Sequence, residues 1–332
     1  MIMEYNKKNA KRWSIIGQRP TFGTALFELA KEDKNVLAVV ADVVNSAGLA
    51  NMSKELPEQV VNVGIAEQNM MGVAAGLSSE GYTVFTATFA PFQVMRCLEQ
   101  IRVNQGYMGQ KVVMVGLAGG VAYGELGFTH CTLEDTAILR AIPNIAVVTP
   151  ADSMEVVKIV EAVAKYPQSV YVRLMDKTGI PMVYEDDYEF AIGKAVPILP
   201  EGDIAILANG PQVYHAVKAA KRYKEEYGRN IAVYDFHTVK PLDEALLMSL
   251  CGKTKAIITV EEHSIIGGLG SAVVEFFADK ADSPLVYRMG FGDEYPHGAE
   301  HETLLEKYGL NEEGIYGEIC DVENRECIVA KE

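Results

Sequence analysis

Short apolar runs rich in β-branched residues alternate along the chain with longer segments in which apolar residues recur at helical spacing. In the N-terminal half, the short runs predict strands at 36–40, 60–63, 84–86, 112–115, 145–148 and 170–172. The longer segments predict helices at 21–31, 66–79, 92–103, 133–141 and 153–165. Because these strands are apolar throughout and do not alternate, we expect a parallel sheet covered on both faces.

Capping side chains mark the starts of two of these helices. Asp152, which follows Pro150, predicts the N-cap of the helix at 153–165. Thr132 followed by Asp135 has the form of a capping box, which predicts that a helix begins there.

The pattern is interrupted between Thr178 and Gly202, where glycine, prolines and an acidic run at 185–187 indicate a linker. After it, strands are predicted at 204–208, 231–234, 256–260 and 285–288, and helices at 212–226, 243–250, 270–278 and 301–308. Alternating strands and helices with short loops favour parallel strands joined by right-handed crossovers. The prediction is an α/β protein of two doubly wound, three-layer domains with mainly parallel sheets, at 1–185 and 186–332.

The 332 residues include 30 Lys and Arg against 45 Asp and Glu, which gives a formal net charge of −15. This acidic balance argues against nucleic acid or an anionic membrane as the partner, because both attract basic surfaces. The five cysteines form no C-x-x-C pair, which indicates reduced thiols. Residues 1–12 lack an apolar signal region, and no apolar run is long enough to span a bilayer. We therefore expect a soluble, cytoplasmic protein.

Three segments follow predicted strands of the first domain, where parallel sheets bind their ligands. The first carries Glu67 at the start of a helix, where a carboxylate is also a common capping charge. The second contains Phe89 and Phe92, whose spacing alone is typical of a core. The third is a glycine-rich loop at 118–130 that ends in His130, and a lone histidine is as often structural as functional. None of the three is specific by itself.

Other candidate sites are excluded by their sequence surroundings. The glycine-rich stretch at 267–270 lacks the register and the lysine of a phosphate-binding loop and is interpreted as a tight turn. His263 has no second histidine or cysteine near it for a metal site. Cys131 adjoins a histidine in sequence but is not expected to act as a nucleophile. Asp203 and Asp235 are interpreted as ordinary polar residues at strand edges.

Taken in order, these segments resemble the C-terminal half of transketolases, and most closely the C-terminal subunit of split transketolases. The resemblance covers nearly the whole chain and is carried by Gly64-Ile65-Ala66-Glu67-Gln68, Thr88-Phe89-Ala90-Pro91-Phe92, Gly124-Glu125-Leu126-Gly127-Phe128-Thr129-His130, Tyr171-Val172-Arg173-Leu174 and Val260-Glu261-Glu262-His263-Ser264. It implies a pyrimidine-binding domain at 1–185 and a transketolase C-terminal domain at 186–332. It also favours a functional role for Glu67 over that of a helix cap.

Transketolases bind thiamine diphosphate between two domains, one for its pyrimidine and one for its diphosphate and Mg²⁺. The diphosphate domain carries a Gly-Asp-Gly…Asn motif that this sequence lacks, since the nearest string, Gly292-Asp293-Glu294, lies in the second domain. The resemblance therefore implies a separate N-terminal subunit that holds the diphosphate and Mg²⁺, in an α2β2-type assembly. No metal ligand is expected in this chain.

The resemblance also implies roles for individual residues. Glu67 would be a catalytic residue that hydrogen bonds to the pyrimidine N1′, and Phe92 would stack on the pyrimidine ring. The other cofactor contacts expected are Gly64, Ile65, Phe89 and Met95. His130 would be a catalytic residue that hydrogen bonds to oxygens of the donor sugar. The other substrate-binding residues expected are Arg19, Asp42, Ser46 and Arg173, of which the arginines and the serine suit a terminal phosphate or sulfonate.

The predicted activity is the transfer of a two-carbon ketol unit from a ketose phosphate to an aldose phosphate. Leu126 stands where transketolases have an Asp that contacts a donor hydroxyl, and Ala118 stands where some have a substrate-binding His. These differences leave open a transketolase for a modified sugar, such as a sulfo- or branched sugar. Also left open are a deoxyxylulose-phosphate synthase, which has an Arg at the position of Phe92, the β subunit of a 2-oxo acid dehydrogenase, and a non-catalytic stabilising subunit.

Overall fold

Two β-sheets organise the computed structural model, which describes residues 3–175 and 178–329. The strands are β1 (Val36–Val40), β2 (Val60–Asn62), β3 (Thr83–Phe89), β4 (Val112–Leu117), β5 (Ile145–Val148), β6 (Ser169–Arg173), β7 (Val196–Leu199), β8 (Ile204–Ala208), β9 (Ala232–Asp235), β10 (Thr238–Lys240), β11 (Ala256–Ser264) and β12 (Leu285–Phe291). Their order is β10–β5–β6–β4–β3–β1–β2 in the first sheet and β12–β11–β8–β9–β7 in the second.

Helices connect the strands of both sheets. They are α1 (Lys7–Ile16), α2 (Gln18–Glu32), α3 (Ala50–Glu55), α4 (Glu67–Ser79), α5 (Ala90–Val94), α6 (Leu98–Gln100), α7 (Asp135–Arg140), α8 (Ser153–Lys165), α9 (Gln212–Tyr227), α10 (Glu244–Leu250), α11 (Leu269–Phe277), α12 (His301–Lys307) and α13 (Glu312–Val329). A π-helix at Ile101–Tyr107 follows α6, and 3₁₀ turns lie at Pro57–Gln59, Gly124–Leu126 and Phe128–His130. Within the described ranges, no helix combines the length and the apolar character that crossing a membrane requires.

Parallel pairing dominates both sheets, which confirms the predicted α/β class with mainly parallel sheets. β1 pairs in parallel with β2 and β3, and β8 pairs in parallel with β9 and β11. Two pairs of described strands are antiparallel, β10 with β5 and β7 with β9. Every residue of β1, β4, β5 and β6 is buried, as the unbroken apolar runs predict for strands covered on both faces.

One strand of the C-terminal half joins the sheet of the N-terminal half. β10 follows β9 along the chain but pairs with β5, with Thr238 opposite Val148 and Lys240 opposite Val147. The Lys240 ammonium also donates to the backbone oxygen of Arg140 at 3.0 Å. The C-terminal half therefore supplies the edge strand of the first sheet. The domain boundary near residue 185 stays a prediction.

The single helix expected at 92–103 is wrong. The segment is divided into α5, a turn at 95–97, α6 and the π-helix. The apolar spacing continues through the turn, so the pattern alone does not reveal the interruption. Further elements that the pattern did not predict are α1, α3, β7, β10 and α13.

The two predicted caps have different outcomes. The Asp152 side chain accepts a hydrogen bond from the Glu155 amide at 3.0 Å and caps α8 as predicted. The capping box at Thr132 is wrong, because α7 begins at Asp135, directly after Glu134, and its start has no side-chain cap.

Candidate active site

The loops after β1, β2, β3 and β4 meet at the carboxyl edge of the first sheet, because parallel strands end at the same edge. The side-chain oxygen of Asn62 ties two of these loops together by accepting from the amides of Asp42 and Gly64, each at 3.0 Å. Asp42 and Gly64 both have positive φ, 60° and 74°. No atom lies within 4 Å of the position that a Cβ on Gly64 would take, so the edge is open there.

Glu67 is the first residue of α4 and is only 4% exposed. Both of its carboxylate oxygens accept from Nη1 of Arg96, each at 2.9 Å. Arg96 lies in the turn between α5 and α6, and its side chain is 45% exposed. The Glu67 carboxylate is therefore directed at a side chain from the segment after β3, and it does not bond to amides of its own helix.

Four rings form a row along the same edge. Ring centroids are 5.6 Å apart for Tyr123 and Phe89, 6.2 Å apart for Phe89 and Phe92, and 5.9 Å apart for Phe92 and His130. All three contacts are edge-to-face, a favourable geometry for aromatic rings. The guanidinium carbon of Arg96 is 4.1 Å from the Phe92 centroid, within the range of a cation–π contact. Arg96 thus joins this row to the carboxylate of α4.

The remaining residues expected at the site lie around this row. Ile65 and Met95 are exposed at its border, by 78% and 38%. Arg19 is half-buried in the first turn of α2, with its guanidinium carbon 6.0 Å from the Tyr123 centroid. Ser46 is half-buried in the loop after β1, on the same side of the sheet.

The structure contradicts the expectation that Arg173 binds a substrate phosphate. Its side chain is 3% exposed. Nε donates to the Asp135 carboxylate at 2.8 Å, and Nη2 donates to the backbone oxygens of Thr132 and Glu262, each at 3.0 Å. These acceptors hold the guanidinium inside the protein, where Glu262 of the second sheet meets the end of β6.

Family models match both halves of the chain. The transketolase pyrimidine-binding domain matches residues 16–178, and the transketolase C-terminal domain matches residues 193–315. The chain belongs to the transketolase family. The family predicted from the ordered motifs is thereby confirmed.

Relatives and a solved structure extend the transketolase assignment along nearly the whole chain. The chain is 42% identical to a subunit of the apulose-4-phosphate transketolase of Phocaeicola vulgatus, over 91% of this chain and 96% of that protein. It is 35% identical to the 6-deoxy-6-sulfo-D-fructose transketolase subunit SqwH of Clostridium sp. strain MSTE9, over 90% of this chain and 91% of that protein. A split-gene transketolase, solved as an inactive β4 tetramer, has a TM-score of 0.80 at 37% identity, over 91% of this chain and 96% of that one.

Thiamine diphosphate is the cofactor that the transketolase family implies, and the described residues fit its pyrimidine half. The Phe92 ring offers a face that a flat group, the Arg96 guanidinium, already covers. Glu67 presents two buried carboxylate oxygens beside that face, and Gly64 leaves open space at the adjoining loop. For Mg²⁺, the described ranges contain no cluster of three His, Cys, Asp or Glu side chains that could hold a metal ion.

Three residues of this transketolase site are not predicted from the sequence: Arg96, Tyr123 and Glu262. Arg96 lies one helical turn after Phe92, a spacing that could have indicated their contact. Glu262 is 3% exposed and accepts from the Val121 amide at 2.8 Å, although the two residues are 141 positions apart. Burial alone would raise the pKa of Glu262, but the neighbouring His301 holds it below its usual value.

The stretch at 267–270 is only partly the tight turn that was expected, because α11 begins at Leu269. The amides of Leu269 and Gly270 donate to the Glu261 carboxylate at 2.7 and 2.8 Å, so the start of this helix binds a side chain of its own chain. Cys131 agrees with its interpretation from the sequence. Cys131 is buried, and burial raises the pKa of its thiol to about 11, which disfavours a thiolate nucleophile.

The interpretation of Asp235 as an ordinary strand-edge residue is wrong. Asp235 is fully buried and accepts from the Tyr184 hydroxyl at 2.6 Å. Glu155 of α8 is also fully buried and accepts from the Tyr188 hydroxyl at 2.9 Å. Burial raises the pKa of Asp235 to about 7 and raises the pKa of Glu155 well above its usual value. Asp235 therefore belongs to a buried carboxyl cluster between the two halves.

Proposed function

We propose that this chain is the pyrimidine-binding subunit of a two-chain, thiamine diphosphate-dependent transketolase. One observation carries the proposal. At the carboxyl edge of the first sheet, the Arg96 guanidinium contacts both the buried Glu67 carboxylate and the face of the Phe92 ring. The reaction would move a two-carbon ketol unit from a ketose phosphate to an aldose phosphate. The transketolase subunits among the relatives support this reaction class.

Glu67 and Phe92 would bind the pyrimidine. As a carboxylic acid, Glu67 would donate a hydrogen bond and a proton to the ring nitrogen N1′. Phe92 would orient the ring by stacking, and Phe89 fixes Phe92 through their edge-to-face contact. Bound thiamine diphosphate supplies the carbanion chemistry. Arg96 must first leave both groups, because its guanidinium covers the Phe92 face and both Glu67 oxygens.

His130 would bind the donor sugar. Its Nδ1 lies 3.0 Å from the Thr129 hydroxyl, which leaves Nε2 to hydrogen bond with a sugar oxygen. The contact with the Phe92 ring keeps the imidazole next to the proposed position of the pyrimidine. The proposed contacts of the rest of the sugar are Asp42, Ser46 and, for its terminal anion, Arg19.

The diphosphate and Mg²⁺ would be held by an N-terminal subunit in an α2β2-type assembly. The sequence lacks the Gly-Asp-Gly…Asn motif of that site. The related split-gene transketolase is inactive as a β4 tetramer, which agrees with the need for a second kind of chain. Three apolar side chains beside the site suit coverage by a partner, since Ile65, Met95 and Leu126 are 78%, 38% and 59% exposed.

Reconstitution tests the proposal. Mixed with a chain that carries the Gly-Asp-Gly motif, this protein should transfer ketol units between sugar phosphates, whereas either chain alone should not. Calorimetry should show weak binding of thiamine diphosphate by this chain alone, with or without Mg²⁺, and tight binding by the pair. Tight, Mg²⁺-dependent binding by this chain alone would contradict the two-chain proposal.

A transketolase for a modified sugar is the second candidate, and Leu126 favours it. Leu126 is 59% exposed at the end of a 3₁₀ turn, in the same loop as His130. An apolar side chain there cannot pair with a donor hydroxyl, and a hydroxyl left unpaired against it is costly. Ala118, the other difference from the family pattern, is fully buried and adds no side chain to the open edge.

The substitution Leu126→Asp separates the two candidates. If the natural donor lacks the usual hydroxyl, the variant should gain activity with xylulose 5-phosphate relative to the unmodified enzyme. Glu125→Gln, at an exposed position in the same turn, is the matched control and should leave the choice of donor unchanged. No gain from Leu126→Asp in an intact two-chain complex would favour an ordinary transketolase.

A further inference from the structure

The His130 loop, which runs from Gly120 to Thr132, is fixed at its base by the C-terminal half of the protein. Two backbone hydrogen bonds between Gly120 and Thr132, at 3.1 and 2.9 Å, close the base. Next to them, the amide of Val121 donates to Oε1 of Glu262 at 2.8 Å. Glu262 belongs to β11 of the second sheet, so a side chain from the other half binds the first amide of the loop beyond its closed base.

Glu262 reaches the other end of the loop as well. Its backbone oxygen accepts from Nη2 of Arg173, and the same Nη2 donates to the backbone oxygen of Thr132, each at 3.0 Å. Its carboxylate is 2% exposed, and Nε2 of His301 lies 3.1 Å from both oxygens. The histidine fixes the orientation of the carboxylate that accepts from the loop.

The contact between the Glu262 carboxylate and the loop leaves no room for a side chain at position 120. Gly120 has a φ of 68°, and a Cβ there would lie 2.2 Å from Oε1 of Glu262. Further along the loop, Gly124 accepts from the Ala299 amide at 3.2 Å, and Phe128 contacts Tyr295 with ring centroids 3.9 Å apart. Glu262 contributes a buried carboxylate at the base of the loop, whereas Ala299 contributes a backbone amide and Tyr295 an aromatic ring.

We propose that Glu262 is a positioning residue for His130, through which the C-terminal half sets the place of the imidazole at the substrate. The inference rests on the function proposed above. Glu262 is buried behind the loop and acts by holding the Val121 amide, not by touching substrate. Without this anchor the loop can shift, and a displacement of about 1 Å in a catalytic group costs about 10²-fold in rate.

Hydrogen exchange in this chain alone tests the anchor independently of activity. In Glu262→Leu, amides of the His130 loop should exchange at least about tenfold faster than in the unmodified chain. Glu261→Leu is the matched control, because Glu261 is 1% exposed and binds amides at the start of α11 instead. It should leave exchange in the loop unchanged. Equal effects of the two substitutions on the loop, or no effect of Glu262→Leu, would overturn the proposal.

A second variant covers the case in which Glu262→Leu does not fold. Glu262→Asp keeps the buried charge beside His301 but is one methylene shorter, so it lengthens the contact with the Val121 amide. It should also speed exchange in the loop. Slow exchange in a folded Glu262→Asp variant would overturn the proposal.

Kinetics of the reconstituted two-chain enzyme test the route through His130. Glu262→Leu should lower kcat/KM for the donor about ten- to hundredfold and leave the affinity for thiamine diphosphate unchanged, because other elements hold Glu67 and Phe92. The double variant with His130→Ala should be no slower than His130→Ala alone, since nothing is left to position. If the losses of kcat/KM caused by Glu262→Leu and by His130→Ala multiplied in the double variant, the positioning role would be overturned. An inactive unmodified enzyme would instead refute the proposed function, and the exchange experiment would then decide whether Glu262 anchors the loop.

Discussion

Arg96 places one guanidinium nitrogen 2.9 Å from each carboxylate oxygen of Glu67. The Glu67 side chain is 5% exposed, so the ion pair compensates a charge that would otherwise be buried alone. The same guanidinium lies over the ring of Phe92. A pyrimidine that binds at this position therefore replaces one partner of Glu67 with another.

Arg96→Ala should lower the free energy of unfolding of this chain by about 1–3 kcal/mol, because Glu67 is left buried without its partner. Urea denaturation measures the effect. Arg102→Ala, which breaks an exposed pair with Glu99 at 3.4 Å, is the control and should change stability by less than about 0.5 kcal/mol. In a Glu67→Gln background, Arg96→Ala should cost less. An equal loss of stability from Arg96→Ala with Glu67 and with Glu67→Gln would show that the ion pair does not stabilise the chain.

Glu67→Gln should lower kcat of the reconstituted enzyme by about 10²–10⁴, because an amide cannot supply a mobile proton to N1′. The affinity for thiamine diphosphate should fall less, since stacking on Phe92 is retained. Exchange of the C2 proton of bound thiamine diphosphate measures the effect directly. Glu80→Gln, exposed at the far end of α4, should leave the exchange rate unchanged. Equal exchange rates in Glu67→Gln and the unmodified enzyme would remove Glu67 from the mechanism.

Arg173→Ala should act on stability, not on recognition of phosphate. It leaves the buried Asp135 carboxylate without its ion-pair partner, which should lower the free energy of unfolding by about 3–5 kcal/mol. Arg102→Ala, which breaks the exposed pair with Glu99, is again the control and should cost less than about 0.5 kcal/mol. A normally stable Arg173→Ala variant with a raised KM for phosphorylated donors alone would restore the phosphate-binding role.

In the unmodified chain, deprotonation of Asp235 should lower the free energy of unfolding as the pH rises. Asp235→Asn should remove this contribution. Burial raises the pKa of Asp235 from 3.8 to about 7, so the folded chain binds this proton more tightly than the unfolded chain does. The resulting stability is complete below about pH 4 and is lost as the pH rises to about 7. Over that range, the unmodified chain should lose roughly 2–4 kcal/mol more than the variant does.

Urea denaturation across this pH range checks the prediction. Asp321→Asn, at an exposed position on α13, is the control and should follow the unmodified chain. Parallel pH profiles for the unmodified chain and Asp235→Asn would mean that Asp235 carries no proton in the folded cluster with Glu155 and Tyr184.

Elements whose signals are local could be predicted from the sequence. β1, β5 and α8 have the predicted bounds, because an unbroken apolar run or a capping aspartate defines each of them. The turn at 95–97 could not be predicted, since apolar spacing continues through it. The ion pair of Arg96 with Glu67 could not be predicted either, because the two residues lie 29 positions apart. The ordered motifs were enough to select Glu67, Phe92 and His130, which the structure brings to one edge.

Contacts between distant residues explain the errors. Arg173 was assigned to the substrate from the resemblance alone, and its partner Asp135 lies 38 positions away and was interpreted as a capping residue. Glu262 and Val121 lie 141 positions apart, and no local pattern links them. The first pair depends on how α7 packs beside β6, and the second on how the two sheets pack. Local sequence patterns show neither.

β10 links the two halves of the chain, because a strand of the C-terminal half forms the edge of the first sheet. A fragment that ended near residue 185 would lack Thr238–Lys240 and would expose the unpaired backbone donors and acceptors of β5 along one edge. Bare strand edges recruit strands of other molecules, so such a fragment should self-associate. The intact chain should instead melt in a single cooperative transition, since loss of the second sheet removes a strand from the first.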